Sequence, residues 1–229
     1  MPSLPRWFSS FEVGFPPNAD IDTPTRRIDL TPMCNLYSTK ASRDEVRAFF
    51  QTTDDWQRPI EQTKDYTAPG KPGLVVRDED GRRVLDTMSW GFPFQGKPIT
   101  NVRNYTSPFW RSALQDPARR CLVPVTRFQE WSVEPDPVTG KKRPYWFRLP
   151  SRPIFAFAGI WRPAEPAPFF SFLTCGYDGD PSAHAVGAIH PKAIPVILHE
   201  EDHDRWLHAD LDDALQLACA FPSQLIGVE

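Results

Sequence analysis

Apolar positions divide this 229-residue chain into two unlike stretches. Residues 1–32 carry six prolines and no amphipathic period, so they offer nothing to a core. From Met33 onward apolar residues recur. Ser42-Arg43-Asp44-Glu45 forms a capping box ahead of Val46, Phe49 and Phe50, which predicts a helix over 40–52. Leu74-Val75-Val76 and Arg83 to Trp90 read as strands joined across Glu79-Asp80-Gly81, a hairpin signal. Ser107-Pro108 supplies an N-cap followed by proline at the first helical position, so a short helix carries Phe109, Trp110 and Leu114. Arg120 to Trp131 alternates loosely as a single strand. Pro135-Asp136-Pro137 and Thr139-Gly140 then mark a turn into a returning strand, Pro144 to Leu149. Ile154 to Trp161, Phe169 to Thr174 and Ile194 to Leu198 are short apolar runs of the kind that form buried strands. Two helices with acidic starts close the chain, near 200–208 and 212–220. Many strands, few helices and no strict β-α alternation predict an α+β fold on antiparallel sheet.

Composition narrows the class. Residues 33–225 suffice for one well-filled domain and are short for two. Forty per cent apolar residues and eight tryptophans describe a globular chain, and no run reaches membrane-spanning length. The first 32 residues lack a basic region followed by an apolar one, so they read as a misassigned start or a disordered, removed leader rather than a secretory signal. Cys34, Cys121, Cys175 and Cys219 are widely spaced without C-x-x-C, which argues against a zinc knuckle or disulfide framework and fits a reducing cytoplasm. The net charge of −3 hides an asymmetry: residues 71–165 hold 16 Lys+Arg against 9 Asp+Glu, and residues 166–229 hold 2 against 10. The arginine-rich middle suits phosphate, because guanidinium pairs bidentately with phosphate oxygens; it equally suits a solvated face balanced by the acidic C-terminal third.

Several residues could carry chemistry. If the working chain begins after Met33, Cys34 presents a thiol and an α-amine on adjacent carbons and can trap an aldehyde as a five-membered thiazolidine. The amine's reference pKa of about 7.7–8 leaves a useful fraction uncharged at neutral pH. Inside a chain, Cys34 would be an ordinary buried cysteine. His199-Glu200-Glu201-Asp202-His203 matches the H-E-x-x-H of zinc peptidases. The segment is polar, starts a helix and is followed only by His208, about 140° round the helix from His203, so it reads as a solvated helix start. No metal or cofactor is implied. Glu130, between aromatics in Phe128-Gln129-Glu130-Trp131, is a candidate desolvated acid at a strand end. His190, ahead of Pro191, sits on a rigid turn before a buried strand, and Asn101-Val102-Arg103 offers an amide and a guanidinium together.

Taken in order, Met33-Cys34-Asn35-Leu36-Tyr37, Trp90-Gly91-Phe92-Pro93, Asn101-Val102-Arg103, Arg120-Cys121-Leu122-Val123-Pro124, Phe128-Gln129-Glu130-Trp131, Phe155 to Trp161 and Ile189-His190 through Leu198 resemble the SOS-response-associated peptidase (SRAP) family of abasic-site processing proteins. The resemblance implies a single domain with a curved, mainly antiparallel, barrel-like sheet, a few flanking helices and a basic groove for single-stranded DNA. It implies that Cys34 crosslinks to the ring-opened sugar, that Asn101 holds the cysteine terminus and the sugar, and that Glu130 shuttles protons. His190 would help open the sugar ring, and Arg103 would grip a flanking phosphate. Trp90, Phe92 and Pro93 would form an apolar wedge beside the lesion. Asn35-Leu36 replaces the family's usual Gly-Arg and Tyr105 a usual glutamate. The turn after His190 is one residue longer than usual and offers Lys192 as a phosphate partner. The implied activity is abasic-site capture with self-processing peptidase and strand-cleaving lyase capability, by a cytoplasmic monomer. Two other classes remain open: a thiol peptidase acting on other proteins through Cys34, His190 and Glu130, and a non-catalytic single-strand binding module.

Overall fold

The computed structural model describes residues 36–53 and 66–229; the leader and Cys34 lie outside the described residues. In chain order the elements are β1 (Leu36–Ser38), α1 (Arg43–Phe50), β2 (Pro72–Glu79), β3 (Arg82–Trp90), β4 (Phe92–Phe94), β5 (Lys97–Ile99), β6 (Asn101–Val102), α2 (Pro108–Gln115) and β7 (Arg120–Val125). They continue with β8 (Arg127–Pro135), β9 (Lys142–Arg148), β10 (Phe155–Arg162), β11 (Phe169–Cys175), β12 (Ile194–Pro195), β13 (Ile197–Leu198), α3 (His203–His208), α4 (Leu211–Leu215) and β14 (Gly227–Val228). This is an α+β fold.

Local chemistry sets the ends of these elements. Ser42 Oγ accepts from the Glu45 amide at 3.2 Å and Glu45 answers to the Ser42 amide at 2.7 Å, so the capping box is complete. Asp80 and Gly81 both take positive φ, 54° and 76°, which matches the twist of a tight hairpin between β2 and β3. Ser107 caps α2 through the Phe109 amide.

Five strands close on themselves. β3, β2, β7, β10 and β11 pair in that order, and β11 returns to β3 through Phe169–Ser89 and Phe170–Trp90, a parallel seam in an otherwise antiparallel ring. β6 continues the same seam one step along, pairing Asn101 with Phe172. The β4–β5 hairpin is therefore an excursion between two segments that share one partner strand.

A second sheet runs β1-β8-β9-β14. The predicted single strand Arg120 to Trp131 is in fact two, because the chain changes sheets at Thr126. There the Thr126 amide and hydroxyl both donate to the Ser38 carbonyl, at 2.7 and 2.9 Å, and the hydroxyl accepts from the Lys40 amide. Glu130 consequently lies within β8 rather than at a strand end. Ile194 to Leu198 also divides, around Val196, into a partner for β11 and a partner for β10. The last helix is shorter than expected: it ends at Leu215, and the chain turns so that Leu217 and Phe221 can be buried.

An aromatic seam joins the layers. Trp90 stacks on Phe172 at 5.2 Å, Phe172 meets Phe157 at 4.8 Å, Phe157 meets Phe128 at 5.6 Å, and Phe128 stacks on Phe147 at 5.3 Å. Arg120 is fully buried and answers carbonyls that helix geometry leaves unpaired: Leu114 at 3.0 Å from α2, and Trp206 and Ala209 at 3.2 and 2.6 Å around the end of α3. One guanidinium thus ends two helices.

Candidate active site

β8 points Glu130 inward, where 2 % of the residue is exposed. Opposite it, His190 ends a tight turn whose amide donates to the Val186 carbonyl at 2.7 Å. The turn is compact enough that a Cβ on Gly187 would lie 2.3 Å from the Pro181 carbonyl oxygen, so only glycine fits there. His190 Nδ1 stands 3.8 Å from Glu130 Oε2. That spacing is too long for a hydrogen bond. Burial holds the His190 pKa below its ordinary value, a hydrogen bond to the Trp131 backbone opposes the shift, and Lys192, Lys142 and Arg103 add to it. Burial thus disfavours the charged form of the imidazole beside the Glu130 carboxyl group. His190 Nε2 is buried and has no hydrogen-bond partner among the described residues, leaving a ring nitrogen positioned to exchange a proton.

The remaining candidates fall into two groups. Asn101 lies on β6, half-buried, with its amide 3.0 Å from Thr100 Oγ1. Two residues on, exposed Arg103 donates to the Lys192 carbonyl at 2.9 Å, so β6 and the turn after His190 are tied together. Tyr105 is turned inward, its hydroxyl on the Thr174 carbonyl at 2.7 Å. The proposed wedge does not survive as a unit. Trp90 and Phe92 are 0 % and 1 % exposed, because Trp90 forms part of the aromatic seam and Phe92 packs on Trp110; only Pro93 reaches solvent. The H-E-x-x-H segment is solvated at Glu200 and Glu201 but not at its second histidine, which stacks on Phe50 at 5.4 Å.

The balancing of basic by acidic residues is visible for some of the arginines. Arg83 pairs with Asp204 at 2.7 Å, and Arg127 and Arg148 pair with Glu229 at 3.0 and 3.2 Å, so part of the basic middle is spent on the acidic C-terminal third. Around His190 the field is positive, supplied by Lys192, Lys142 and Arg103. A cleft of about 440 Å³ adjoins this region, lined by Ser132 and Glu134 from β8, Tyr145 from β9, and Ile189 and Pro191 on either side of His190. Sequence reasoning missed Tyr177, whose hydroxyl donates to the His190 carbonyl, and His184, which fixes the start of the turn. His184 Nδ1 accepts from the Val186 amide at 3.1 Å, so its other nitrogen carries the proton and donates to Phe221 at 2.9 Å.

Known proteins set this arrangement in context. The family model for SRAP, SOS response associated peptidase, matches residues 33–227. The chain belongs to the SRAP family. Among curated SRAP relatives, the abasic site processing protein YoaM of Bacillus subtilis (strain 168) is 25% identical over 186 residues, covering 77% of this chain and 79% of that protein. The abasic site processing protein YedK of Escherichia coli (strain K12) is 24% identical over 198 residues, covering 78% and 81%. Among solved structures, a protein from Bacteroides thetaiotaomicron superposes with a TM-score of 0.70 at 20% identity over 85% of this chain and 90% of its own. One from Bordetella bronchiseptica gives 0.67 at 20% identity over 85% and 98%. These two likenesses establish a shared fold.

Proposed function

We propose that this protein processes abasic sites in single-stranded DNA by covalent capture through Cys34; the names of its curated relatives support the abasic-site part of this reading. One observation carries the reading. Glu130, which faces His190 at 3.8 Å, lies on β8, the strand against which β1 is registered with Leu36 opposite Gln129. Cys34 is two residues before Leu36, and two residues of chain span at most about 7 Å. Chain length thus keeps the proposed aminothiol within about 7 Å of Leu36, whose partner Gln129 neighbours Glu130.

The chemistry follows from those groups. The α-amine adds to the aldehyde of the ring-opened deoxyribose, and loss of one water gives an iminium. The Cys34 thiolate then adds to the same carbon and closes the thiazolidine. Glu130 and His190 move the protons that ring opening, dehydration and ring closure require. Asn101 orients the sugar, while Arg103 and Lys192 hold flanking phosphates. Of the proposed wedge, Pro93 alone is in a position to touch bases.

A residue inside a chain has no α-amine, so the reading requires Cys34 to be the working N-terminus, reached by a start at Met33 or by removal of residues 1–33. Self-processing would use the same acid–base pair, and strand cleavage would proceed from the iminium. Location with cytoplasmic DNA follows from the substrate.

The test compares protein beginning at Cys34, the full 229-residue chain and Cys34→Ala, each incubated with single-stranded DNA bearing one abasic site. A gel-stable adduct from the protein beginning at Cys34 and none from Cys34→Ala supports the reading, with adduct from the full chain only where residues 1–33 have been lost. Adduct of equal yield from Cys34→Ala refutes the role of Cys34. A thiol peptidase acting on other proteins would use the same pair, and it would retain peptide cleavage after the Cys34 amine is acetylated; aldehyde capture would not survive acetylation.

A further inference from the structure

The proposed chemistry asks nothing of Tyr177, yet Tyr177 touches the turn that presents His190 at both ends. Its hydroxyl lies 2.8 Å from the His190 carbonyl and 3.2 Å from the Ala193 carbonyl, so one O–H bridges the two ends of the His190–Ala193 segment. The residues between, Pro191 and Lys192, are exposed. Their exposure leaves the bonds at the segment's two ends to help hold it in place. Arg103 supplies another such bond, to Lys192. Behind Tyr177 the ring rests on His184 at 4.9 Å, and His184 is itself fixed by the Val186 amide and the Phe221 carbonyl. The support is thus rigid on the side away from the site.

The hydroxyl is also a dependable donor. Burial pushes its pKa far above the ordinary tyrosine value, and the Glu130 carboxylate pushes it further. Tyr177 stays neutral wherever the fold persists, and its response to Glu130 places it near the acid–base pair.

We infer that Tyr177 is a positioning residue for His190, setting the imidazole against Glu130 by bridging the two carbonyls of the turn that carries it. It touches no reacting atom. The 3.8 Å spacing between His190 and Glu130 is too long for a hydrogen bond, so it is set by the imidazole's bond to the Trp131 backbone and by how the turn is held. A displacement of about 1 Å at a reacting group can cost as much as about a hundredfold in rate. The activity part of this inference rests on abasic-site capture; the geometric part does not.

Tyr177→Phe tests it, because the ring stays on His184 and only the hydroxyl goes. Two readouts are taken on protein beginning at Cys34. The first is the NMR titration of His190. The groups facing its ring are Glu130, the Trp131 backbone, Lys192, Lys142 and Arg103, and the substitution alters none of them. Loosening the turn admits water, so the His190 midpoint should rise toward the ordinary histidine value. The second is the rate of adduct formation with abasic single-stranded DNA. It should fall about tenfold, and Tyr177→Phe should add no further loss in a His190→Ala background. An unchanged His190 midpoint overturns the inference. So does an equal loss of rate in both backgrounds, since the hydroxyl would then act other than through His190. If the parent protein forms no adduct at all, abasic-site capture fails, and the titration alone still decides whether Tyr177 positions His190.

Discussion

His203, second histidine of the H-E-x-x-H sequence, should make the fold sensitive to mild acid. Its side chain stacks on Phe50 at 5.4 Å and 26°, 3 % of the residue is exposed, and Nε2 has no hydrogen-bond partner among the described residues. Burial, reinforced by Arg83, pushes its pKa down to about 4. An unfolded chain returns the ring to about 6.5. The folded state therefore binds fewer protons than the unfolded one between those values. The contribution is fully present above pH 6.5 and is lost as pH falls toward 4. At about 1.4 kcal/mol per unit, the whole window is worth about 3 kcal/mol, of which about 2 kcal/mol is lost by pH 5. His190 shifts in the same direction, so the parent alone cannot isolate His203. His203→Leu can. Leucine fills a similar volume and leaves no polar atom stranded, so the two proteins should agree within about 1.5 kcal/mol at pH 7.5. Urea denaturation at pH 7.5, 6 and 5 gives the difference. The variant should gain about 2 kcal/mol on the parent by pH 5. Parallel curves across that range would refute a neutral, buried His203.

Other outcomes follow from the same geometry. Arg120→Met leaves the carbonyls of Leu114, Trp206 and Ala209 without their donor, and should cost about 3–5 kcal/mol in chemical denaturation; a loss under 1 kcal/mol would mean water replaces the guanidinium. Glu130→Gln keeps the shape of the buried side chain and removes its proton exchange, so adduct formation should slow by about a hundredfold or more with little change in melting temperature. Because burial holds the His190 pKa below its ordinary value, an acid limb of the adduct rate centred near about 7.7–8, the reference value of an α-amine, should belong to the Cys34 amine. That limb should persist in His190→Ala, and its disappearance there would reassign it to the imidazole.

Local chemistry was legible in the residues, and long-range placement was not. Ser42, Ser107 and Asp80-Gly81 act on their own neighbours within three positions, so caps and hairpin could be read directly. The sheet change at Thr126 is decided by Ser38, 88 positions away, and no alternation pattern around Thr126 encodes it. Glu130 was recognisable by its aromatic neighbours, but its approach to His190 spans 60 positions. Trp90 and Phe92 look like surface aromatics beside Gly91 and Pro93. They are buried because β3 leads into a seam with β11, a parallel pairing that the local sequence does not announce. Tyr177 supports the His190 turn through backbone carbonyls and His184 through the Val186 amide, contacts that leave no trace in residue type.

The most direct test of the account is the intact mass of the species formed between the protein and an abasic single-stranded oligonucleotide of known length. The account predicts a mass equal to the chain from Cys34 to Glu229 plus the DNA, less one water for the ring closure, with fragmentation placing the modification on Cys34. A mass that retains residues ahead of Cys34, or a modification carried by a lysine, would contradict it.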